Sequence, residues 1–301
     1  MEKLTLALDW TPNANHIGFL VAKENGYYVE LDLEVEILSP GADNYQVTPA
    51  KKVELGQANF ALCPMESVLS YRTKKTAFPL KAIAAIFRED VSAIAVLESS
   101  GIKRPKELDG KVYASYKARY EDEIVKSMIK NDDGKGEIEI SYPDKLGIWE
   151  NLLTKKSDAT WIFMNWEGVA AEGEGIRLNT FRMTDYDIPY SYSPVVVASE
   201  ENISKNKTAY SKFLKATKRG FLQAAASPEE AATILKDQVA ATDANIDLVA
   251  SIKESALHFR NEEKWGVMET KNVQQYLDWI YSHNLESEKI EVEDLVTNEL
   301  L

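Results

Sequence analysis

The chain has 301 residues, more than a single hydrophobic core usually serves, so two lobes are expected. Lys and Arg total 35 against 48 Asp and Glu, and the resulting net charge of -13 argues against a nucleic-acid partner, while neutral or cationic small ligands meet no such barrier. The single cysteine, Cys63, excludes an internal disulfide, a thiolate zinc site and an iron–sulfur cluster.

Apolar spacing predicts a strand over residues 4–8 and a loop over Asp9-Trp10-Thr11-Pro12-Asn13-Ala14-Asn15. A helix over 16–25 is expected to stop at Gly26, and acid–apolar alternation predicts a strand over 33–38. A helix over 48–55, a strand over 58–62, a turn at Cys63-Pro64-Met65, a helix over 66–73 and a strand over 80–87 follow. Beyond Arg88-Glu89-Asp90-Val91 come strands over 93–97 and 111–115, with one helical turn between them at 104–110. An amphipathic helix is expected over 120–130, an exposed turn over 131–136, a strand over 138–141, a helix over 148–155 and a strand over 159–164. After Pro194 a strand over 195–199 gives way to helices over 206–225, 228–236, 246–257 and 270–283. Ser227-Pro228-Glu229-Glu230 is a strong helix start, with Ser as cap, Pro first and acids in the first turn.

Strand–helix alternation of this kind argues for an α/β fold with mostly parallel sheets. Two segments read as crossings between lobes, one at 88–91 and one at 185–194, which is rich in Tyr, Asp and Pro. The expected division is residues 1–90 plus 193–301 in one lobe and 91–192 in the other. No run has the length of a membrane span, so no membrane insertion is expected. The first residues enter a strand pattern at once, which reads as cytoplasmic, or as periplasmic or cell-surface if a signal had been removed.

Leu8-Asp9-Trp10-Thr11-Pro12-Asn13-Ala14-Asn15-His16-Ile17-Gly18 resembles a motif of the superfamily that joins bacterial sulfonate, riboflavin and thiamine-pyrimidine binding proteins with the fungal thiamine-pyrimidine synthase. Val53-Glu54-Leu55-Gly56-Gln57-Ala58-Asn59-Phe60-Ala61-Leu62, residues 152–168 ending in Trp166-Glu167-Gly168, and residues 211–234 are similar to further segments of that superfamily. Within it, a fungal and bacterial orphan group without signal peptides looks nearest. The resemblance implies a two-lobed, periplasmic-binding-protein-like (type II) α/β fold with a ligand cleft between hinged lobes. It does not by itself imply transport, because fold and function separate.

Several residues at strand ends are candidates for ligand binding. Trp10 can stack on a flat heterocycle and Asn13 can both donate and accept, although a core-capping Trp and a turn Asn would look the same. His16 is placed to bond a ligand or to pack the first helical turn. Pro64, Glu66 and Ser67 form a second strand-to-helix turn, which either binds a polar group or merely caps the helix. Ser115, Tyr116 and Arg119 form a third, where Arg119 would neutralise an anion and Tyr116 would stack, unless the loop is simply a solvated rim. Asn165, Trp166 and Glu167 form a polar–aromatic–acid triplet that is costly as pure core and suits an aminated ring. Tyr190 and Tyr192 are expected to line the cleft or stiffen the hinge.

His16, His258 and His283 lack metal-binding spacing, no phosphate loop or nucleophile elbow is present, and neither a metal nor a cofactor is expected. The resemblance also brings in an enzyme reading. The fungal synthase relies on a lysine and a histidine around the turn before the third helix, and on a cysteine-rich return crossing. Here those places hold Cys63 with Ser67, and Tyr190-Ser191-Tyr192-Ser193-Pro194. The expected function is therefore non-catalytic binding of a flat, nitrogen-containing ring such as a thiamine pyrimidine precursor. An intracellular sensor is the other alternative, and no transporter or protein partner is identified by the sequence.

Overall fold

The computed structural model describes residues 1–259 and 262–301. The chain alternates strand and helix through β1 (Glu2–Ala7), α1 (Ile17–Glu24), β2 (Leu33–Leu38), α2 (Pro49–Glu54), β3 (Phe60–Cys63), α3 (Met65–Thr73) and β4 (Leu80–Ala85). It continues through β5 (Ser92–Leu97), β6 (Val112–Ala114), α4 (Glu121–Asn131), β7 (Glu139–Ser141), α5 (Ile148–Leu153), β8 (Ala159–Phe163), α6 (Val169–Gly173) and β9 (Leu178–Phe181). The last third holds β10 (Val195–Ser199) and then helices only: α7 (Glu200–Lys205), α8 (Lys207–Ala226), α9 (Pro228–Lys236), α10 (Leu248–Ala256), α11 (Thr270–Ser282) and α12 (Val292–Leu295).

These elements fall into two units. The first comprises Met1–Asp90, Ser191–Gln274 and Glu286–Leu301, and the second Val91–Tyr190 and Gln275–Leu285. Residues 275–285, the later part of α11 and the turn after it, thus group with the second unit, whereas the sequence pattern keeps them with the first.

Unit 1 is built on a five-stranded sheet in the order β2-β1-β3-β10-β4. Strand β1 pairs in parallel with β2 (Leu4 opposite Val35) and with β3 (Leu6 opposite Phe60). Strand β10 runs antiparallel to both β3 and β4. Unit 2 repeats the plan as β7-β6-β8-β5-β9, with β6 parallel to β7 and β8, and β5 antiparallel to β8 and β9. Four of the five strands in each sheet thus run the same way, as expected of a mostly parallel sheet, and one reversed strand makes the two antiparallel pairings. The reversed strands, β5 and β10, are the first strands after Asp90 and after Tyr190. Each is flanked by two strands running the other way, a direction that local periodicity does not encode.

The core of unit 1 is a stack of aromatic rings between the sheet and the helices. Phe60 of β3 lies 4.1 Å from Phe213 of α8 at 11°, and Tyr28 lies 5.5 Å from the same ring at 7°. Phe19 of α1 meets Phe221 of α8 edge-on at 5.3 Å. Helix α8 reaches α1 so closely because both carry glycine at the crossing. A Cβ on Gly220 would sit 1.9 Å from the Gly18 carbonyl oxygen, and one on Gly18 would sit 2.0 Å from the Phe221 ring.

Four short elements lie outside what the sequence pattern predicts: α6, β9, α7 and α12. With four residues and one fully buried position, β9 is too short for alternation to register.

Candidate ligand-binding site

In each unit the candidate residues gather at the C-terminal ends of parallel strands, where consecutive loops lie side by side. In unit 1 the loops after β1, β2 and β3 are neighbours because those three strands are parallel and adjacent.

The loop after β1 is organised from within. Asn13 caps a short 3-10 turn (Ala14–His16), its side-chain Oδ1 accepting the Asn15 N–H at 2.8 Å. The Asn13 N–H in turn donates to Nδ1 of His16 at 3.1 Å. With Nδ1 accepting, the ring proton lies on Nε2, which donates to Oδ1 of Asp9 at 2.8 Å. His16 is fully buried and Asn13 nearly so. Both nitrogens of His16 and the polar atoms named for Asn13 therefore serve the loop. In this capping box Nδ1 and Nε2 of His16 and Oδ1 of Asn13 are engaged within the loop, and these atoms hold its shape.

What that frame presents is Asp9 and Trp10, both half-buried. The Trp10 ring lies 6.4 Å from Tyr45 at an interplanar angle of 59°. Tyr45 comes from the loop after β2 and adopts φ +58, directly after Asn44 at φ +51. Two consecutive left-handed residues that are not glycine are uncommon, and strain of this kind concentrates at functional loops. Burial, and next the charge of Asp9, push the Tyr45 hydroxyl well above the ordinary tyrosine value.

The loop after β3 brings Pro64, Glu66 and Ser67 to the start of α3, with Pro64 as the capping residue and Glu66 in the first turn. Glu66 is 3% exposed. Cys63 lies beside this turn, fully enclosed. Burial raises its thiol first, then the charges of Asp9 and Glu66, against a lowering hydrogen bond from Ser67. Tyr192, also in unit 1, is 1% exposed, and its hydroxyl accepts the Glu269 N–H at 2.9 Å and lies 3.3 Å from the Asn272 amide. These bonds tie the segment before β10 to the start of α11.

In unit 2, β6 and β8 are parallel neighbours, so the loop after β6 lies next to the turn after β8. The loop after β6 closes on Glu121, the first residue of α4. Oε1 of Glu121 accepts the Tyr113 hydroxyl at 2.7 Å and the Tyr116 N–H at 2.9 Å, while Oε2 accepts the Ala118 N–H at 3.0 Å. Ser115 donates its hydroxyl to Asp122 at 2.7 Å and accepts the Lys117 N–H at 3.0 Å. Burial raises the Glu121 carboxyl, and the Tyr113 hydroxyl and the two amides pull it back down. Arg119 is exposed and lies over the Tyr120 ring at 5.4 Å.

The triplet Asn165, Trp166 and Glu167 occupies a π-helical turn (Met164–Gly168) directly after β8. Such turns recur at functional sites. Asn165 is fully buried and Trp166 is 2% exposed, so both belong largely to the interior. Oε2 of Glu167 accepts the Phe163 N–H at 2.9 Å, which closes the turn. The Tyr116 hydroxyl is raised by burial, then by the charges of Glu167 and Glu121, which puts the two strand-end loops in one electrostatic neighbourhood. Tyr190 packs edge-on against Trp161 at 5.1 Å and Tyr276 at 5.5 Å, and is 6% exposed. Both of those rings belong to unit 2, as Tyr190 does.

The family described as NMT1/THI5 like matches residues 13–231. The chain belongs to that family. As an NMT1/THI5-like chain it is similar to a formylaminopyrimidine-binding protein of Halalkalibacterium halodurans, 23% identical over 98% of this chain and 89% of that protein. It is also similar to a 4-amino-5-hydroxymethyl-2-methylpyrimidine phosphate synthase of Legionella pneumophila, 27% identical over 78% of this chain and 73% of that protein. Among solved structures, a Candida albicans protein with the generic periplasmic binding protein fold superposes with a TM-score of 0.74 and 13% identity, over 99% of this chain and 97% of that one. The fold of this NMT1/THI5-like chain is thus that of the periplasmic binding proteins.

Three residues of these loops escape sequence reasoning: Asp9, Tyr45 and Glu121. Asp9 stands inside the most specific motif and is legible in principle, as an acid ending a strand seven residues before a histidine. Tyr45 gives no signal, because only the parallel pairing of β1 with β2 brings it to Trp10. Among the described residues, no group of three or more His, Cys, Asp or Glu side chains is placed to hold a metal ion. No described helix is long and apolar enough to cross a membrane.

Proposed function

We propose that this chain is a non-catalytic binding protein for a flat, nitrogen-containing aromatic small molecule of the thiamine pyrimidine precursor class. The observation that carries the reading is the unit 1 strand end, where the consecutive residues Asp9 and Trp10 both bear on Tyr45, the first through its charge and the second through a ring contact at 6.4 Å. An aromatic face with an adjoining hydrogen-bond acceptor is the pairing that a planar amino-heterocycle needs. Similarity to a protein named for binding formylaminopyrimidine supports the same ligand class.

Relatives named as synthases lend weight to an enzyme. Against that stands Cys63, whose thiol is enclosed and held well above its ordinary value, making it a poor nucleophile. The places where the synthase keeps a lysine, a histidine and clustered cysteines hold other residue types here. On this reading the first partner is the small molecule, and any importer or signalling protein would meet the loaded form.

Isothermal titration of formylaminopyrimidine into the wild-type protein and into Trp10→Ala tests the proposal. The expected result is binding by the wild type and loss of at least about tenfold in affinity for the variant, from the missing ring contact. Trp10 is half-exposed, so the variant should keep its melting temperature. An unchanged dissociation constant for Trp10→Ala would refute the site, and no binding of any aminopyrimidine by the wild type would refute the function.

A further inference from the structure

We infer that Asp9, held in place by the buried His16, is the group that reads the ring amine of the ligand, so that the site selects a 4-aminopyrimidine over its 4-oxo counterpart. The inference rests on the pyrimidine reading and deepens it by naming the atom recognised.

The geometry assigns the two residues different tasks. His16 has no exposed side-chain surface, whereas 19% of the Asp9 side chain is exposed. The proton position on His16 follows from the Asn13 N–H, which occupies Nδ1 and leaves Nε2 as the donor to Oδ1 of Asp9. One carboxylate oxygen is thereby fixed in direction. No other hydrogen bond to Asp9 and no Lys or Arg partner is found among the described residues. A partly enclosed carboxylate usually secures more partners than one neutral imidazole. Its second oxygen is thus an acceptor held on a rigid mount, in the residue that directly precedes Trp10.

Chemistry then dictates what this acceptor recognises. An ionised carboxylate accepts hydrogen bonds and donates none. An exocyclic ring amine offers it N–H donors, and the bond is charge-assisted. A ring oxygen at the same position would set lone pairs against lone pairs, with desolvation and nothing in return. Discrimination therefore comes from attraction to one ring and rejection of the other. The neighbours agree with this placement, because the Asp9 charge bears on both the Tyr45 hydroxyl and the Cys63 thiol, in the loop after β2 and at the end of β3.

The test measures a ratio. Dissociation constants for 4-amino-5-hydroxymethyl-2-methylpyrimidine and for its 4-oxo analogue are determined by calorimetry on the wild type, Asp9→Asn, Asp9→Ser and His16→Gln. The wild type should favour the amino ring by about 100-fold, the size of a charge-assisted bond made against one lost. In Asp9→Asn, an amide of nearly the same shape that can also donate, the ratio should fall to within about threefold of unity, through a 10- to 100-fold loss on the amino probe. Asp9→Ser should lower it as well. His16→Gln should lower the ratio while both probes still bind, whereas a role confined to the loop's structure would weaken both probes alike. Circular dichroism identifies any variant that has not folded, and the remaining Asp9 variant then supplies the answer. A wild-type preference that survives both Asp9→Asn and Asp9→Ser overturns the assignment of Asp9 and leaves the pyrimidine reading standing. Wild-type protein that binds neither ring overturns both.

Discussion

Replacing Gly220 by Ala adds one methyl group at the crossing of α1 and α8, and the structure fixes what that methyl meets. Its carbon would lie 1.9 Å from the Gly18 carbonyl oxygen, 2.9 Å from the Gly18 carbonyl carbon and 2.9 Å from the Ala22 nitrogen. Each of these is a backbone atom, so no side-chain rotation relieves the overlap. The ordinary separation of non-bonded heavy atoms is about 3.5 Å, so the helices must part by roughly 1.5 Å at this point. A radial gap of about 1 Å already forfeits up to half of each contact's attraction along the parted faces. Those faces carry Phe19 and Phe221, whose ring contact spans 5.3 Å. Overpacking of this kind costs about 1–3 kcal/mol and more where the backbone must move. Alanine returns about 1 kcal/mol of helix propensity over glycine. With backbone atoms on every side the upper end of that range applies, so the net expected loss is about 2 kcal/mol or more. Urea unfolding followed by circular dichroism measures it, with Gly173→Ala as the control. Gly173 is exposed and a methyl group there would meet open space, so that change should be neutral or stabilising by up to about 1 kcal/mol. A Gly220→Ala midpoint at or above that of the wild type would show that the close approach of α1 and α8 is not as described.

Two further outcomes follow from side-chain environments. Cys63, buried and with its thiol raised, should resist Ellman's reagent at pH 8 for as long as the protein stays folded and react fully in 6 M guanidinium, conditions chosen as roughly those that ionise and expose an ordinary thiol; fast reaction of the native protein would place the thiol elsewhere. Asp132 is nearly buried and accepts from Nε of Arg104 at 2.8 Å and from the Lys106 N–H at 3.0 Å, and the guanidinium holds its carboxyl below the ordinary range. A depressed folded value means that the pair's contribution is full above the unfolded value of about 3.9 and is lost as pH falls through the folded value. Asp132→Asn should therefore narrow the drop in melting temperature between pH 5 and the acid limb, by an amount read from parallel thermal melts; identical acid limbs for variant and wild type would remove Asp132 from the account.

Local sequence determined the parts. Period-two alternation in Leu33-Glu34-Val35-Glu36-Ile37-Leu38, the Ser227-Pro228 helix start, and the turn residues between elements each act over a few residues, and the corresponding strand and helices stand where those signals put them. The motif from Asp9 to His16 likewise marked one candidate loop, because its capping chemistry is local. Strand direction and side-chain environment were decided by the tertiary structure. Nothing within Ser92–Leu97 or Val195–Ser199 states that these strands run against their neighbours, since the inward–outward period is the same in either direction. Trp166 and Tyr190 look alike as aromatic candidates in the sequence, yet each is buried because of residues distant along the chain, such as Trp161 and Tyr276 around Tyr190. Tyr45 became a candidate only through the pairing of β1 with β2 that carries its loop to Trp10, and Asp9 only through the proton that Asn13 fixes on His16. Pattern reports which way a side chain faces on its own element; which partner meets it there is a property of the packed chain alone.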